Sequence, residues 1–150
     1  SHKHAYVTTM FDYYAMPTDT PGIDCTEVDL QKRMHIIEAA VNSDIGEPNC
    51  MFHFNLHEFE ALLFSHPESF ALIADEDTVD KLQEIRDTYE TPEHINNSVE
   101  TAPSKRIEAL IPNYAKVKNG ALLSEDVGID AMLAECPHFR EWVESIVNLP

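Results

Sequence analysis

Two short apolar runs, residues 5–11 and 51–56, flank one amphipathic helical pattern, and that order constrains the fold of this 150-residue chain more than any other feature. Tyr6, Val7, Met10 and Phe11, with Thr8 and Thr9 among them, are β-rich and uncharged, as expected of a strand buried on both faces. Phe52, Phe54 and Leu56 alternate with His53, Asn55 and His57, a period of two that marks a second strand. Between the runs, Leu30, Met34, Ile37 and Val41 recur at i, i+4, i+7 and i+11, one face of a helix that opens near Thr26 and Asp29 and ends at Gly46 and Pro48. Strand, helix, strand in this order predicts a βαβ unit with parallel strands.

The rest of the chain reads as helical. Residues 13–22 are rich in turn formers and predict a loop leaving the carboxyl end of the first strand. Phe59, Leu62 and Leu63 share one helical face. Val79, Leu82 and Ile85 mark a further helix capped by Asp77 or Thr78. Ile107, Leu110 and Ile111 follow Pro103, and Ile129, Met132 and Leu133 form a short helix ended by Pro137. Phe139, Trp142, Val143, Ile146 and Val147 give the clearest amphipathic stripe. The expectation is an α/β chain forming a single domain over 1–150, with a parallel α/β part over 1–65 and a mostly helical part over 66–150 packed on it. Two strands are few for a self-sufficient sheet.

The formal charge is −17, and residues 75–100 hold nine acids against Lys81 and Arg86. Such a surface repels phosphate backbones, which argues against loose nucleic-acid binding by the chain alone. Lys105, Arg106, Lys116 and Lys118 fall close together in the sequence and are where a polyanion is expected to dock. No apolar run approaches the ~18 residues of a membrane span. Ser1 and His2 have the look of a tag remnant, and the first residues lack the pattern of a signal peptide. Cys25, Cys50 and Cys136 are an odd, widely spaced set, which predicts reduced cytoplasmic thiols filling the core rather than a disulfide framework or a zinc site.

Asp12 closes the first run, and His57-Glu58-Phe59-Glu60 follows the second. A carboxylate where a parallel strand stops faces the crevice in which open α/β sheets bind ligands. In a helix, Glu58 and Glu60 would point ~200° apart and could not share an ion. In a strand they would project together. The strand-to-helix junction falls at this point, so the sequence is compatible with both. His53 and His57 lack the His-Glu-x-x-His order of a zinc protease, and no nucleophile elbow or phosphate-binding glycine loop is present. Oxygen-ligand metal chemistry survives: carboxylates holding magnesium or manganese can orient a phosphodiester and activate water. Asp12 is then the first ligand, and Lys105 or Arg106 would stabilise phosphate charge, unless Ser104, Lys105 and Arg106 only cap a helix or pair with surface acids.

Four blocks carry a resemblance: Val7-Thr-Thr-Met-Phe-Asp-Tyr-Tyr14 with Pro17 and Pro21-Gly22; Leu56-His-Glu-Phe-Glu-Ala-Leu-Leu-Phe-Ser65; Glu100-Thr-Ala-Pro-Ser-Lys-Arg106; and Cys136-Pro-His-Phe139 with Trp142. Together they resemble a Toprim-like prokaryotic family of unknown function, related to the nuclease domains of overcoming-lysogenisation-defect proteins. That family is encoded beside an AAA-type ATPase and supplies the nuclease effector of PARIS-type antiphage defence. The resemblance implies a partial Toprim-like parallel sheet, Mg2+- or Mn2+-dependent cleavage of RNA or DNA, an ATPase partner and scope for a homodimer. It implies catalytic roles for Asp12, Glu58 and Glu60, metal ligation by Asp12 and Glu58, and phosphate binding by Lys105 and Arg106. Two departures stand out: Asp12 is followed by Tyr13 and Tyr14 instead of completing an Asp-x-Asp, and the family's earlier Glu-bearing strand end does not occur in the sequence, as in a carboxyl-terminal fragment. A non-catalytic module binding the ATPase is the alternative expectation.

Overall fold

A computed structural model describes residues 5–13, 16–96 and 100–150; Ser1, His2 and, in the loop after the first strand, Tyr14 and Ala15 lie outside them. The described chain is α/β and gathers into two compact units, Ser1–Leu56 and His57–Pro150. The break falls at the end of the second apolar run rather than near residue 65, because Leu63 and Phe64 join the core of the second unit.

In the first unit, β1 (Val7–Thr8) pairs in parallel with β3 (Cys50–Met51), and β2 (Phe11–Asp12) pairs in parallel with β4 (Phe54–Asn55). The two ladders share one register: Val7, Thr9, Phe11 and Tyr13 donate in turn to the carbonyls of Asn49, Met51, His53 and Asn55. Physically this is one strand pair over 7–13 and 49–55, so the expected parallel pairing is present. The ladder is interrupted where the Thr9 side chain enters it. The His53 N–H donates to Thr9 Oγ1 (3.0 Å), and that hydroxyl donates to the His53 carbonyl (3.2 Å).

Helix α1 (Leu30–Ile45) starts at Asp29, whose carboxylate accepts from Lys32 N at 2.9 Å. It ends at Gly46 in the left-handed conformation (φ 69°), where a side chain would be strained. Met34, Ile37 and Val41 bury the predicted face against Phe54 and Leu56. Gly22 lets the preceding loop approach this helix, since a Cβ there would stand 3.0 Å from that of Ala40. The first strand is not buried on both faces as its composition suggested: Val7 and Phe11 are 54% and 53% exposed. The core is built on the second run, against which α1 packs, and among the described residues the first run has a hydrogen-bonded strand neighbour on one side only.

The second unit begins with two 3-10 segments, Phe59–Ser65 and Pro67–Leu72, where a regular helix was expected. Pro67 accounts for the break, because the residue before a proline is driven out of the helical region, and His66 sits at φ −148°, ψ 79°. Next comes α2 (Glu76–Asp87), capped by Asp75, which accepts from Thr78 N, rather than by Asp77 or Thr78. Then follow α3 (Pro103–Leu110), α4 (Lys116–Glu135) and α5 (Pro137–Val147). Helix α4 runs well upstream of the short stretch predicted around Ile129 and is broken at Gly128 (φ 73°). Leu63, Phe64, Phe70, Leu82, Ile107 and Leu123 form the core. Of the α5 stripe only Phe139 is buried, with Trp142, Val143 and Ile146 half-buried and Val147 exposed. The cysteines are all free thiols, and burial pushes that of Cys136 up to about 12.

Helices α3 and α5 share an unusual start. Each opens on a proline after a residue with no capping side chain, Ala102 and Cys136. The missing caps come from buried glutamates far away in sequence. Glu58 accepts from Ser104 N at 3.0 Å, and Glu93 accepts from both His138 N (3.0 Å) and Phe139 N (2.9 Å). Truncating Glu93 strands two buried donors, each costing about 1–3 kcal/mol. Urea denaturation is expected to find Glu93→Ala destabilised by roughly that amount or more, with Glu93→Gln losing less because its amide oxygen can still accept one of the two bonds.

Candidate functional site

Asp12 stands where the sequence placed it, exposed at the carboxyl end of β2. Its register partner on the adjacent parallel strand is Asn55, which donates through Nδ2 to Asp12 Oδ1 at 3.0 Å. A carboxylate and a carboxamide thus meet at the ends of two parallel strands, with the carboxamide nitrogen turned to the acid; its oxygen, if the group were flipped, would join the carboxylate as a hard donor of the kind magnesium and manganese take. The fit is chemical: one negative charge and neutral oxygen suit a hydrated divalent cation bound by few protein ligands.

Sequence reasoning missed Glu38 on α1 as the support of this strand end. Its Oε1 accepts from Phe54 N (2.9 Å) and lies 3.1 Å from Nδ1 of the buried His53. The carboxylate therefore anchors α1 to β4 directly before Asn55. His53, weighed in the sequence as a zinc ligand, turns this ring nitrogen to Glu38.

In the second unit, Glu58 and Glu60 converge. Glu58 is extended (φ −134°, ψ 155°) and Glu60 lies in the first turn of the following 3-10 segment. Both are nearly buried, at 8% and 4% exposure. Lys116 Nζ lies 3.8 Å from Glu58 Oε1 and 3.2 Å from Glu60 Oε1. The two geometries the sequence left open are thereby decided: the carboxylates point the same way and share one cation, which is an ammonium on α4. Burial raises the Glu60 carboxyl above its ordinary value, against the opposing pull of Lys116. Two further hydroxyls sit nearby. Ser104 Oγ and Tyr114 OH are buried and have no hydrogen-bond partner among the described residues. The Tyr114 phenol is raised by burial and then by the charges of Glu60, Glu108 and Glu58.

The expected phosphate contacts are occupied differently. Lys105 pairs with Glu108 at 2.7 Å, one turn along α3. Arg106 donates to the Thr101 carbonyl and to Tyr89 OH, and its guanidinium lies over the Tyr89 ring at 5.4 Å. Both are thus engaged within the fold of the second unit. Lys116, named in the sequence only as one member of a basic group, is the cation that reaches the acids. Glu93 carried no local signal; the absent caps before Pro103 and Pro137 were the clue that distant acceptors existed.

A family model described as a domain of unknown function, DUF4276, matches residues 1–146. The chain belongs to the DUF4276 family. No curated protein and no solved structure matches it.

His57 opens the Glu58–Glu60 block of this DUF4276 chain. Its Nδ1 lies 3.2 Å from Asn96 Nδ2, a contact suited to the neutral ring. Burial, then the nearby charge of His94, lowers its pKa from 6.5 to about 4, with Glu58 opposing. The folded protein therefore disfavours the imidazolium. Stability from this group is fully present above pH ~6.5 and is lost as pH falls through the folded value, by no more than about 3 kcal/mol. Unfolding free energies measured from pH 7 down to pH 4 are expected to fall less steeply for His57→Gln than for the natural protein. Parallel curves would assign the acid sensitivity elsewhere.

Proposed function

We propose that this chain carries a Toprim-like, divalent-metal-dependent nuclease activity, hydrolysing phosphodiester bonds in RNA or DNA. The observation that supports it best is the pairing of Asp12 with Asn55 at the carboxyl ends of two parallel strands. In this reading Asp12 is the charged ligand for Mg2+ or Mn2+. Asn55 rotates its carboxamide to present oxygen in place of nitrogen, an exchange its near-symmetric side chain permits. Glu38 holds the strand end in place by gripping His53 and Phe54. Such an ion, when bound, polarises a phosphate oxygen and acidifies water. The antiphage role and the AAA-type ATPase partner rest on the resemblance of the four sequence blocks.

A second reading, a non-catalytic module that binds the ATPase, is favoured by one feature of the second unit. An open groove of about 470 Å³ runs between α2 and α3, with Ile85, Ala109 and Leu110 among its lining residues and Lys81 and Arg106 on its walls. Apolar floors with charged rims are common at protein interfaces.

Incubation of the full-length protein with Mg2+ or Mn2+ and with RNA and DNA separates the two. The nuclease reading expects metal-dependent cleavage that falls at least about 100-fold in Asp12→Asn, the scale of losing one charge-stabilising group. Asn55→Ala is expected to weaken metal dependence more than maximal rate. No cleavage of any polymer, together with no saturable Mn2+ binding sensitive to Asp12, would leave the interaction module as the better account.

A further inference from the structure

Helices α2 and α3 lean on the same core through Leu82 and Ile107, and the groove of about 470 Å³ opens between their outer faces. On α2, Lys81, Glu84 and Ile85 recur at i, i+3 and i+4. On α3, Arg106, Ala109 and Leu110 do the same, so each trio is one helix face. Ile85 and Leu110 are half-buried against the core and Ala109 is exposed, so the floor is an uncovered apolar edge. Charge sits at the two ends. Arg106 donates from Nη2 to Tyr89 OH at 2.6 Å, which fixes it beside the end of α2. Its Nε is taken by the Thr101 carbonyl, and Nη1 is left for an incoming acceptor. Lys81 stands two helical turns back from Thr88, about 10 Å along α2. It is exposed and in no ion pair among the described residues, although its charge interacts with that of the cap Asp75. Glu84 lies on the wall between these ends. In a chain with ten bases against 27 acids, two cations flanking an apolar floor call for an acidic counterpart.

We propose that the α2–α3 groove binds an amphipathic helix of a partner protein, with apolar side chains on Ile85, Ala109 and Leu110 and acidic side chains at Lys81 and Arg106. A helix covers seven residues in about 10 Å, the spacing of the two cations, so acids at i and i+7 of the occupant meet both. Its i+3 and i+4 positions then face the floor, the anchor pattern of helices that lie in grooves. Glu84 repels an acid placed midway and so selects apolar residues there. A polyanion is rejected, because its charge extends past two cations into the acids of residues 75–100. This deepens the interaction-module reading and rests on it, while leaving the chemistry at Asp12 untouched.

Fluorescence anisotropy on the full-length protein tests the groove with a stapled helical peptide carrying glutamates at i and i+7 and leucines at i+3 and i+4. Saturable binding is expected, weakened about tenfold or more by Lys81→Glu and by Ala109→Glu, both at exposed positions. A second probe has lysine in place of the glutamate that meets Lys81. It is expected to reverse the order, binding Lys81→Glu about tenfold more tightly than the natural protein. That swap reports a folded variant and a specific contact together. No binding, binding indifferent to both substitutions, or equal binding of a probe whose leucines are replaced by serines would overturn the proposal. So would sedimentation showing that the groove closes a dimer of this chain that Ala109→Glu breaks. The two ideas fail separately. An association with the ATPase that survives both substitutions removes the groove and leaves the module reading in place, whereas peptide binding by a protein that engages no ATPase does the reverse.

Discussion

The second unit depends on acids that cap helices from a distance. Helix α3 begins at Pro103 and α5 at Pro137, and proline is well suited to a first turn because its missing N–H is not needed there. The next amide groups still require acceptors, and neither Ala102 nor Cys136 can supply one. Glu58 and Glu93 do so from 46 and 45 residues away. A carboxylate at a helix start gains from the macrodipole and makes charge-assisted hydrogen bonds, which offsets part of its cost of burial. The burial remains visible in the raised carboxyl of Glu93. Each of these side chains ties the start of a helix to a segment with no regular ladder of its own. Glu58 does so at the head of the first 3-10 segment, and Glu93 within the single turn Pro92–His94.

Glu58 thereby has two duties, and they divide its oxygens. Oε2 accepts from the α3 backbone and Oε1 faces Lys116. The backbone contact fixes the side chain whatever cation occupies the other oxygen. Glu60 meets α4 through the Lys116 ammonium, and its raised carboxyl reflects burial that Lys116 only partly offsets. The pair is thus asymmetric: one acid is held by the fold, and the other depends on the cation.

Much of the first unit was legible because its signals are local. The Leu30, Met34, Ile37 and Val41 spacing and the stop at Gly46 each act within a few residues, and the structure places them as their chemistry requires. The sequence points to too early a start, at Thr26 with Asp29 in the first turn, whereas Asp29 is the cap and the helix begins at Leu30. The parallel pairing followed from the order of strand and helix. Exposure of the first strand was not legible, since Val7 and Phe11 carry the same side chains whether a face is covered or open. In the second unit, α4 was largely hidden because Val117 and Leu122 are exposed apolar residues, at 90% and 43%, which blur the helical period. The convergence of Glu58 and Glu60 on Lys116 spans more than fifty residues. It turns on the extended backbone of one glutamate followed at once by a 3-10 turn, a junction that periodicity does not resolve.

Electrostatics links the two units to the proposed chemistry. The chain carries ten lysines and arginines against 27 aspartates and glutamates. Several of those cations hold the fold itself. Arg33 donates to the Ile23 carbonyl, Arg86 pairs with Glu135, Lys105 with Glu108, Arg106 binds Tyr89 and Thr101, and Arg140 donates to the Leu133 carbonyl at the end of α4. Moving any of these onto a phosphate would cost an interaction inside the protein, and the field of the remaining acids would still oppose a polyanion. Nuclease action by such a chain therefore requires positive charge from outside, either from bound divalent ions or from a basic partner surface. Divalent ions offer the more economical route. An ion at Asp12 would add its charge at the strand ends of the first unit.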